Sequence, residues 1–363
     1  MNRPTYTHFH LSSLSHNLSI IREKAQNAFV WAVVKADAYG HNVNSILPAL
    51  VDADGLALLE LDRAIALREN GETRPILLLE GPFNIKDIAW IAKYNLTAVI
   101  HEYNQIIWLK KNSHLFSKSI TIYLKINTGM NRLGFAPKAL HSVQEALAEL
   151  SFINNIVLMT HFANANEKNG IITPLELFNS LDWKSSISIA NSATLFGWNT
   201  LHQLHGQPGD AVRPGIALYG SSPLDGFTAQ DLNLQATFTF KAGIIAIQNI
   251  QSNDGVGYGG TFKASGPMRI GIVACGYADG YPRHAVSGTP VWVEGYYTSI
   301  VGRISMDMLA IDLTHCPAAE IGSWVELWGS HISIDLVAQK SSTIAYELMC
   351  SITSRVKRVY EPI

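Results

Sequence analysis

The segment FVWAVVKADAYGHN (residues 29–42) places Lys35 directly after six apolar residues. Burying an ammonium group is costly, and desolvation lowers the pKa of a lysine in apolar surroundings. The neutral amine is a nucleophile towards aldehydes, so Lys35 could form a Schiff base with pyridoxal phosphate or, as in an aldolase, with a sugar aldehyde. The alternative is a strand-end lysine whose charge simply reaches water. The residue types alone leave all three interpretations open.

Other polar residues lie at the ends of this and later apolar runs or, in one case, at the start of a run, and each by itself has an ordinary structural explanation. They are Tyr39, Lys125, Arg132, His161, Asn191, Ser192 and Arg213. If the runs are parallel strands, these residues lie together at the C-terminal end of the sheet, where barrel enzymes place their active sites. The small residues of ANSAT (190–194) and RPGIALYG (213–220) could offer backbone N–H groups to a phosphate.

Eight apolar runs separated by segments of helical period occupy the chain up to residue 220. This pattern is typical of parallel βα units and predicts an α/β fold with an N-terminal (β/α)8 barrel. A doubly wound open sheet is the alternative that strand counting leaves open. The runs are 29–35, 55–60, 75–81, 96–101, 120–127, 155–162, 186–192 and 212–220.

The sequence changes character after about residue 225. Runs rich in Val, Ile, Thr and aromatic residues, interrupted by Gly and Pro, predict a mostly antiparallel β-domain, with helical signals again at 334–352. We therefore predict two domains, a cofactor-binding barrel over residues 1–225 and a C-terminal β-domain over residues 226–363.

The composition is typical of a protein that binds a small molecule. The chain has 363 residues, a net charge of −2 and only 15% charged residues, which argues against nucleic acid as a partner. The three cysteines, Cys275, Cys316 and Cys350, have neither metal-ligand nor disulfide spacing. Without a signal peptide or a membrane-spanning run, the sequence predicts a cytoplasmic protein with no metal and no membrane partner.

The segment VVKADAYGHN closely resembles the cofactor-attachment signature of the alanine racemase family. Seven further segments resemble that family in the family's own order: KINTGMNRLGF, THFANA, ANSA, RPGIALYG, VGYGGTF, GYADGYPR and GRISMDM. The resemblance implies a barrel followed by a β-domain, pyridoxal 5'-phosphate as cofactor, and a homodimer with shared active sites. It also implies interconversion of L-alanine and D-alanine, with D-alanine supplied for peptidoglycan.

In the barrel, the resemblance implies that Lys35 holds the cofactor as an internal aldimine. Arg213 would face the pyridine nitrogen, and Arg132 would lie near the cofactor's phenolic oxygen and the substrate carboxylate. His161 would support the catalytic groups from the next layer of residues around them. Lys125 matches a lysine that is carbamylated in some relatives. The residues implied at the cofactor phosphate are Tyr39, Ser192, Gly215 and Ile216.

In the second domain, the resemblance implies that Tyr258 is the second catalytic base, acting in the partner subunit's active site. Lys35 and Tyr258 would then carry out a two-base proton transfer on the external aldimine. Met306 and Asp307 would close over the substrate carboxylate across the dimer. The residues implied at the substrate entrance are Tyr277, Arg283 and Arg303.

Two positions depart from the commoner form of the family. Ser354 stands where many relatives have a tyrosine at the entrance, and Asn166 stands where an acidic residue is frequent. A racemase of broader specificity, acting on serine and alanine, therefore remains an alternative. A non-catalytic pyridoxal-phosphate-binding protein would lack the second domain, and a decarboxylase of the same fold type usually presents a reactive cysteine there.

Overall fold

The computed structural model describes residues 3–198 and 209–362. The first strand, β1 (Thr5–Phe9), pairs with strands from the end of the chain and not with those that follow it. In the next element, helix α1 (Leu11–Ala25), the buried residues Leu11, Leu14, Leu18 and Ile21 recur every three or four positions. This spacing gives the helix one apolar face, which packs on the core.

Within the described residues, nine parallel strands form the first sheet. They are β2 (Phe29–Val33), β3 (Gly55–Leu58), β4 (Ile76–Leu78), β5 (Thr97–Ile100), β6 (Ile120–Lys125), β7 (Ile153–Met159), β8 (Ile187–Ser188), β9 (Ala190–Asn191) and β10 (Ala211–Arg213). The order is β8-β7-β6-β5-β4-β3-β2-β10-β9.

Only Ile189 separates β8 from β9, so the two ends of this sheet meet and it forms a nearly closed barrel. The predicted barrel is thus confirmed, and the open sheet is excluded. The single run predicted at 186–192 is two short strands, because its first half pairs with β7 and its second half with β10.

Helices and turns alternate with the barrel strands and cover the outside of the sheet. After α1 they are α2 (Lys35–Tyr39), α3 (Val43–Ile46), α4 (Leu61–Glu69), α5 (Asp87–Lys93), α6 (Tyr103–Lys111), α7 (Leu140–Ala148), α8 (Ile172–Asn179) and α9 (Ser192–Gly197). Side chains fix some of their starts: Glu102 accepts hydrogen bonds from the N–H groups of Asn104 and Gln105 at the start of α6.

The second sheet is mostly antiparallel, as predicted. Its order is β16-β15-β18-β11-β1-β19, with β14 on β11 and β17 on β14; the β1–β19 pair is parallel. A separate ribbon joins β12 to β13. The elements are β11 (Phe238–Ile250), β12 (Gly255–Val256), β13 (Phe262–Lys263), β14 (Met268–Val273), β15 (Pro290–Val293), β16 (Tyr296–Ser299), β17 (Leu309–Asp312), β18 (Trp324–Trp328), α10 (Ile334–Lys340), α11 (Ala345–Cys350) and β19 (Lys357–Tyr360).

The first strand of the chain therefore belongs to the second sheet, while the division into domains at residue 225 stays a prediction. In residues 3–198 and 209–362, no helix combines the length and the apolar character needed to cross a bilayer.

Candidate active site

A cavity of about 340 Å³ lies at the C-terminal ends of the barrel strands. Its walls include Val33 from β2, Met159 from β7 and Asn191 from β9. It also gathers every residue that the sequence assigned to the cofactor half of the site: Lys35, Tyr39, Lys125, Arg132, His161, Ser192, Arg213, Gly215 and Ile216. Residues up to 181 positions apart thus share one cavity because the strands that precede them are parallel.

The turn α2 brings Lys35 and Tyr39 to the same cavity. Ala36, Asp37, Ala38 and Tyr39 all have φ between 52° and 57°, a left-handed conformation that costs L-residues about 1–2 kcal/mol each. Asp37 stabilises the turn, since its Oδ1 accepts a hydrogen bond from the Val43 N–H at 3.1 Å. Such strain is typical of sites where position matters more than local stability.

Helix α11 packs directly against this turn. Gly40, with φ 77°, lies so close that a Cβ on it would be 2.4 Å from the carbonyl oxygen of Met349. Tyr346, from the same helix, lines the cavity. The second domain therefore holds the cavity wall that carries Lys35.

The cavity carries an excess of positive charge. Burial, and next the nearby Arg132 guanidinium, lower the pKa of Lys35. The charged residues that line the cavity are Lys35, Lys125, Arg132, Arg213 and Glu80. Four cations against one carboxylate among the described residues make the cavity suitable for an anionic ligand.

Lys125 ends strand β6 and is 6% exposed. Burial, followed by the charge of Arg213, lowers the pKa of Lys125 to about 8. Among the described residues no carboxylate forms an ion pair with it. About a tenth of this amine is therefore neutral, and nucleophilic, at pH 7.

Arg213 ends strand β10 and is 4% exposed. Its Nη2 donates to the carbonyl oxygen of Thr160 at 2.7 Å, and its Nη1 donates to Ser188 Oγ. Burial lowers the pKa of Arg213 to about 10, so the group stays protonated at neutral pH. No carboxylate in the described part of the chain pairs with it, so this buried guanidinium can serve a ligand's acceptor atom.

His161 is neutral in this environment. Burial, with the charge of Arg213 next in size, lowers the pKa of His161 to about 3. Asn191 Nδ2 lies 3.4 Å from His161 Nε2, and Asn191 Oδ1 accepts the Thr194 N–H at the start of α9. The imidazole can therefore accept or donate a hydrogen bond here but does not add charge.

Backbone N–H groups converge on Ser192. Its Oγ accepts from the Gly215 N–H at 2.9 Å and from the Ala217 N–H at 3.3 Å. The Tyr39 ring stacks on Tyr219, with centroids 4.4 Å apart, and this places the Tyr39 hydroxyl beside Gly215. Adjacent backbone N–H groups, a serine hydroxyl and a tyrosine hydroxyl are donors that suit a phosphate.

The residues predicted in the second domain lie on its surface and do not line the cavity of the same chain. Tyr258 is 68% exposed, and Met306 is 53% exposed. Two backbone hydrogen bonds hold the Tyr277 turn against the loop of Met306: Tyr277 N–H to Ser305 O and Ala278 N–H to Met306 O. Arg283 and Arg303 are also exposed in this part of the domain, and Asp307 is half-buried.

An ion-pair network fixes this loop. The buried carboxylate of Asp279 accepts from Arg355 at 2.6 and 3.0 Å and from Arg3 at 3.2 Å. Arg355 also pairs with Asp307 Oδ1 at 2.7 Å. The loop of Met306 and Asp307 is thus held in place within one chain.

The sequence interpretation missed two polar cavity residues. Glu80 ends the run at 75–81, so the rule that selected Lys35 would have found it. Tyr346 has no such signal, because it reaches the cavity from a helix of the other domain. Of the two unusual positions, Ser354 is exposed and lies outside the cavity lining, and Asn166 donates to Asp225 Oδ2 at 2.8 Å.

Residues 9–223 match the family described as alanine racemase, N-terminal domain, and residues 237–360 match alanine racemase, C-terminal domain. The alanine racemase of Nitrosospira multiformis is 46% identical over 364 residues, covering 99% of this chain and 100% of that protein. The catabolic alanine racemase of Klebsiella aerogenes is 46% identical over 363 residues, covering 98% and 99%. The biosynthetic alanine racemase structure from Pseudomonas aeruginosa superposes with a TM-score of 0.92 at 38% identity, covering 99% and 100%.

Proposed function

The chain belongs to the alanine racemase family, and from this premise we propose that it interconverts L-alanine and D-alanine with pyridoxal 5'-phosphate bound in the barrel cavity. The observation that carries the proposal is the gathering of Lys35, Arg213 and Ser192 in one positively charged cavity.

The donor set fits this cofactor. A cavity of about 340 Å³ is within the usual range for small-molecule sites. Ser192 Oγ and the N–H groups of Gly215 and Ile216, with the Tyr39 hydroxyl, would hold the phosphate. Arg213 would face the ring nitrogen, and the Lys35 amine would form the covalent link. When bound, pyridoxal phosphate supplies the electron sink that lets an amino acid lose its α-proton.

Racemisation removes the α-proton from one face of the substrate and returns a proton to the other face, so two bases are needed. The Lys35 amine, with its lowered pKa, is suited to move the proton on one face. Tyr258 would move the proton on the other face. Arg132 would hold the substrate carboxylate, and Lys125, if carbamylated through its neutral amine, would hold Arg132 in place.

Arg213 has a second role in this proposal. A guanidinium stays protonated and is a poor acid, so Arg213 would leave the ring nitrogen of the bound cofactor unprotonated. The cofactor would then be a weaker electron sink, which would favour return of the proton to the substrate Cα. His161, which is neutral, would position Arg213 and its neighbours without competing for protons.

A homodimer is part of the proposal, because Tyr258, the proposed second base, does not line the cavity of its own chain. Tyr258, Met306 and Asp307 would enter the cavity of a second copy, with Tyr277, Arg283 and Arg303 around the entrance. The exposure of Tyr258, Met306, Arg283 and Arg303, and the backbone hydrogen bonds that hold the Tyr277 turn against the loop of Met306, support this arrangement.

We further propose a cytoplasmic enzyme that supplies D-alanine for peptidoglycan. The free thiols of Cys275, Cys316 and Cys350 are consistent with a reducing compartment. A serine and alanine racemase is the second candidate, because Ser354 is shorter than the tyrosine common at that place in the family.

The test is to incubate the purified protein, loaded with cofactor, with L-alanine in D2O. We expect D-alanine to accumulate with deuterium at Cα. The Lys35→Ala variant is the control and should do neither. Cofactor binding without exchange would instead favour the non-catalytic binding protein.

A further inference from the structure

The first and last strands of the chain place three metal-ligating side chains together, far from the barrel cavity. His8 lies on β1, and His10, two residues further on, directly follows the strand in extended backbone (φ −100°, ψ 93°), so both side chains lie on the same face. Glu361 directly follows β19, which pairs in parallel with β1 through His8↔Val359 and Phe9↔Tyr360. The Glu361 N–H donates to Phe9 O at 3.1 Å and continues this pairing.

We propose that His8, His10 and Glu361 form a binding site for a divalent transition-metal cation of the Zn²⁺ class. The three ligand atoms all lie within 4.8 Å of one another. His10 Nδ1 and Glu361 Oε2 are 3.3 Å apart. Two ligands of a tetrahedral Zn²⁺, each about 2.0–2.1 Å from the ion, are separated by about 3.3 Å. Two imidazoles and one carboxylate form a common zinc ligand set that leaves a fourth position for water.

Neighbouring groups already hold two of the ligands in suitable orientations. His10 Nε2 lies 2.9 Å from Thr239 Oγ1, which leaves Nδ1 to face Glu361. Glu361 Oε1 accepts from Ser12 N–H at 3.1 Å and from Ser12 Oγ at 2.6 Å, which leaves Oε2 to face His10. Metal-ligating histidines and carboxylates usually have their remaining atoms fixed in this way.

The site is accessible to an ion. All three ligands are partly exposed, and His10 and Ser12 line a second cavity of about 590 Å³. The cation would tie the first strand to the residue after the last strand, a link independent of the racemase function. A hydrogen-bonded pair of His10 and Glu361 without a metal is the alternative arrangement.

The test is calorimetric titration of Zn²⁺ into the full chain, loaded with cofactor and previously freed of metal with a chelator. We expect one Zn²⁺ per chain, with affinity at least about 100-fold weaker in His8→Gln and in Glu361→Gln, since each variant removes one of three ligands. The matched control is His114→Gln, which alters an exposed histidine elsewhere and should not change the affinity. The proposal would be overturned if the parent bound no Zn²⁺, or if both ligand variants bound Zn²⁺ with the affinity of the parent.

A further variant retains all three ligands. Lys241 lies on β11 opposite Tyr6, two residues along the strand pair from His8, and its ammonium charge disfavours a cation at His8. Lys241→Gln should therefore tighten Zn²⁺ binding by about 3- to 10-fold, as expected for removing one nearby like charge in a partly solvated site. Unchanged or weaker binding would contradict the site. Co²⁺ adds a spectroscopic check, because thiolate charge transfer in its spectrum would place the ion at a cysteine and contradict the site as well.

Discussion

Gly215 lies so close to Tyr39 that a Cβ on residue 215 would be 2.5 Å from the Tyr39 hydroxyl oxygen. The Gly215 N–H also donates to Ser192 Oγ at 2.9 Å. The absent side chain thus lets a backbone donor, a serine hydroxyl and a tyrosine hydroxyl occupy one corner of the cavity.

This contact predicts a non-additive pair of substitutions. Gly215→Ala should weaken pyridoxal phosphate binding by about 10-fold or more, because the new methyl group displaces the Tyr39 hydroxyl. In a Tyr39→Phe background, Gly215→Ala should weaken cofactor binding less, because the nearest remaining ring atom, Cζ, is 3.4 Å from the added Cβ. The coupling is measured from the cofactor dissociation constants of the parent, the two single variants and the double variant.

Gly266→Ala is the control for this cycle, because a Cβ there meets no atom within 4 Å. Strict additivity of the Gly215 and Tyr39 changes would contradict the proposed clash.

The second prediction concerns Arg213. Arg213→Glu should raise the fraction of alanine turnovers that end in pyruvate, since a carboxyl group would keep the ring nitrogen protonated and strengthen the electron sink. Arg213→Lys keeps a cation and should produce less pyruvate than the glutamate variant. The measurement is pyruvate formed per racemisation event. An equal pyruvate fraction in the parent and Arg213→Glu would refute the role given to Arg213.

Subunit mixing tests whether Tyr258 acts across a dimer. Lys35→Ala and Tyr258→Phe homodimers should each be nearly inactive. A random 1:1 mixture of the two subunits should recover about a quarter of the parent activity, because half of its dimers are heterodimers and each of these carries one intact site of two. Isolated heterodimers should therefore recover about half. The measurement is racemisation rate after co-refolding or co-expression, with heterodimers isolated by two affinity tags. If isolated heterodimers stay inactive, the two residues do not meet across subunits.

Two buried histidines predict how stability depends on pH. The folded-state pKa is about 3 for His161 and about 4 for His41, against about 6.5 in an unfolded chain. Below pH 6.5 the unfolded chain binds more protons, so each histidine should lower the free energy of unfolding by about 1.4 kcal/mol per pH unit down to its folded pKa. Above pH 7 neither contributes.

Urea unfolding of the cofactor-free protein at pH 7.5 and 5.5 measures this effect. His161→Asn should lose less stability than the parent between these two values, and His114→Asn, at an exposed position, should behave like the parent. The same loss in the parent and His161→Asn would show that His161 is not held neutral.

The last prediction concerns Ser354. The proposed function places residue 354 at the substrate entrance, where a larger side chain would discriminate by size. Ser354→Tyr should therefore lower kcat/KM for L-serine relative to L-alanine by about 3- to 10-fold. Ser354→Thr, a small change that keeps the hydroxyl, is the control. If the ratio of kcat/KM for L-serine to that for L-alanine were the same in Ser354→Tyr as in the parent, Ser354 would not contribute to substrate specificity.

The linear sequence determined the barrel and most of the cavity residues. Apolar runs such as 29–35 and 120–127 predict buried parallel strands, and parallel strands bring the residues that follow them to one end of the sheet. The same rule, applied fully, would have found Glu80. The roles of these residues came from the family resemblance, since a lysine or an arginine at a strand end has several chemistries open to it.

Tertiary structure alone decided other features. No local pattern predicts that Ala36 to Tyr39 turn left-handed, because alanine and tyrosine disfavour that conformation. Tertiary contacts, among them the packing of α11 and the hydrogen bond to Asp37, offset its cost. Tyr346 reaches the cavity, and His8 meets Glu361, through contacts between segments far apart in the chain. Sequence periodicity reports which face of an element is buried, whereas long-range packing decides which distant residue lies against it.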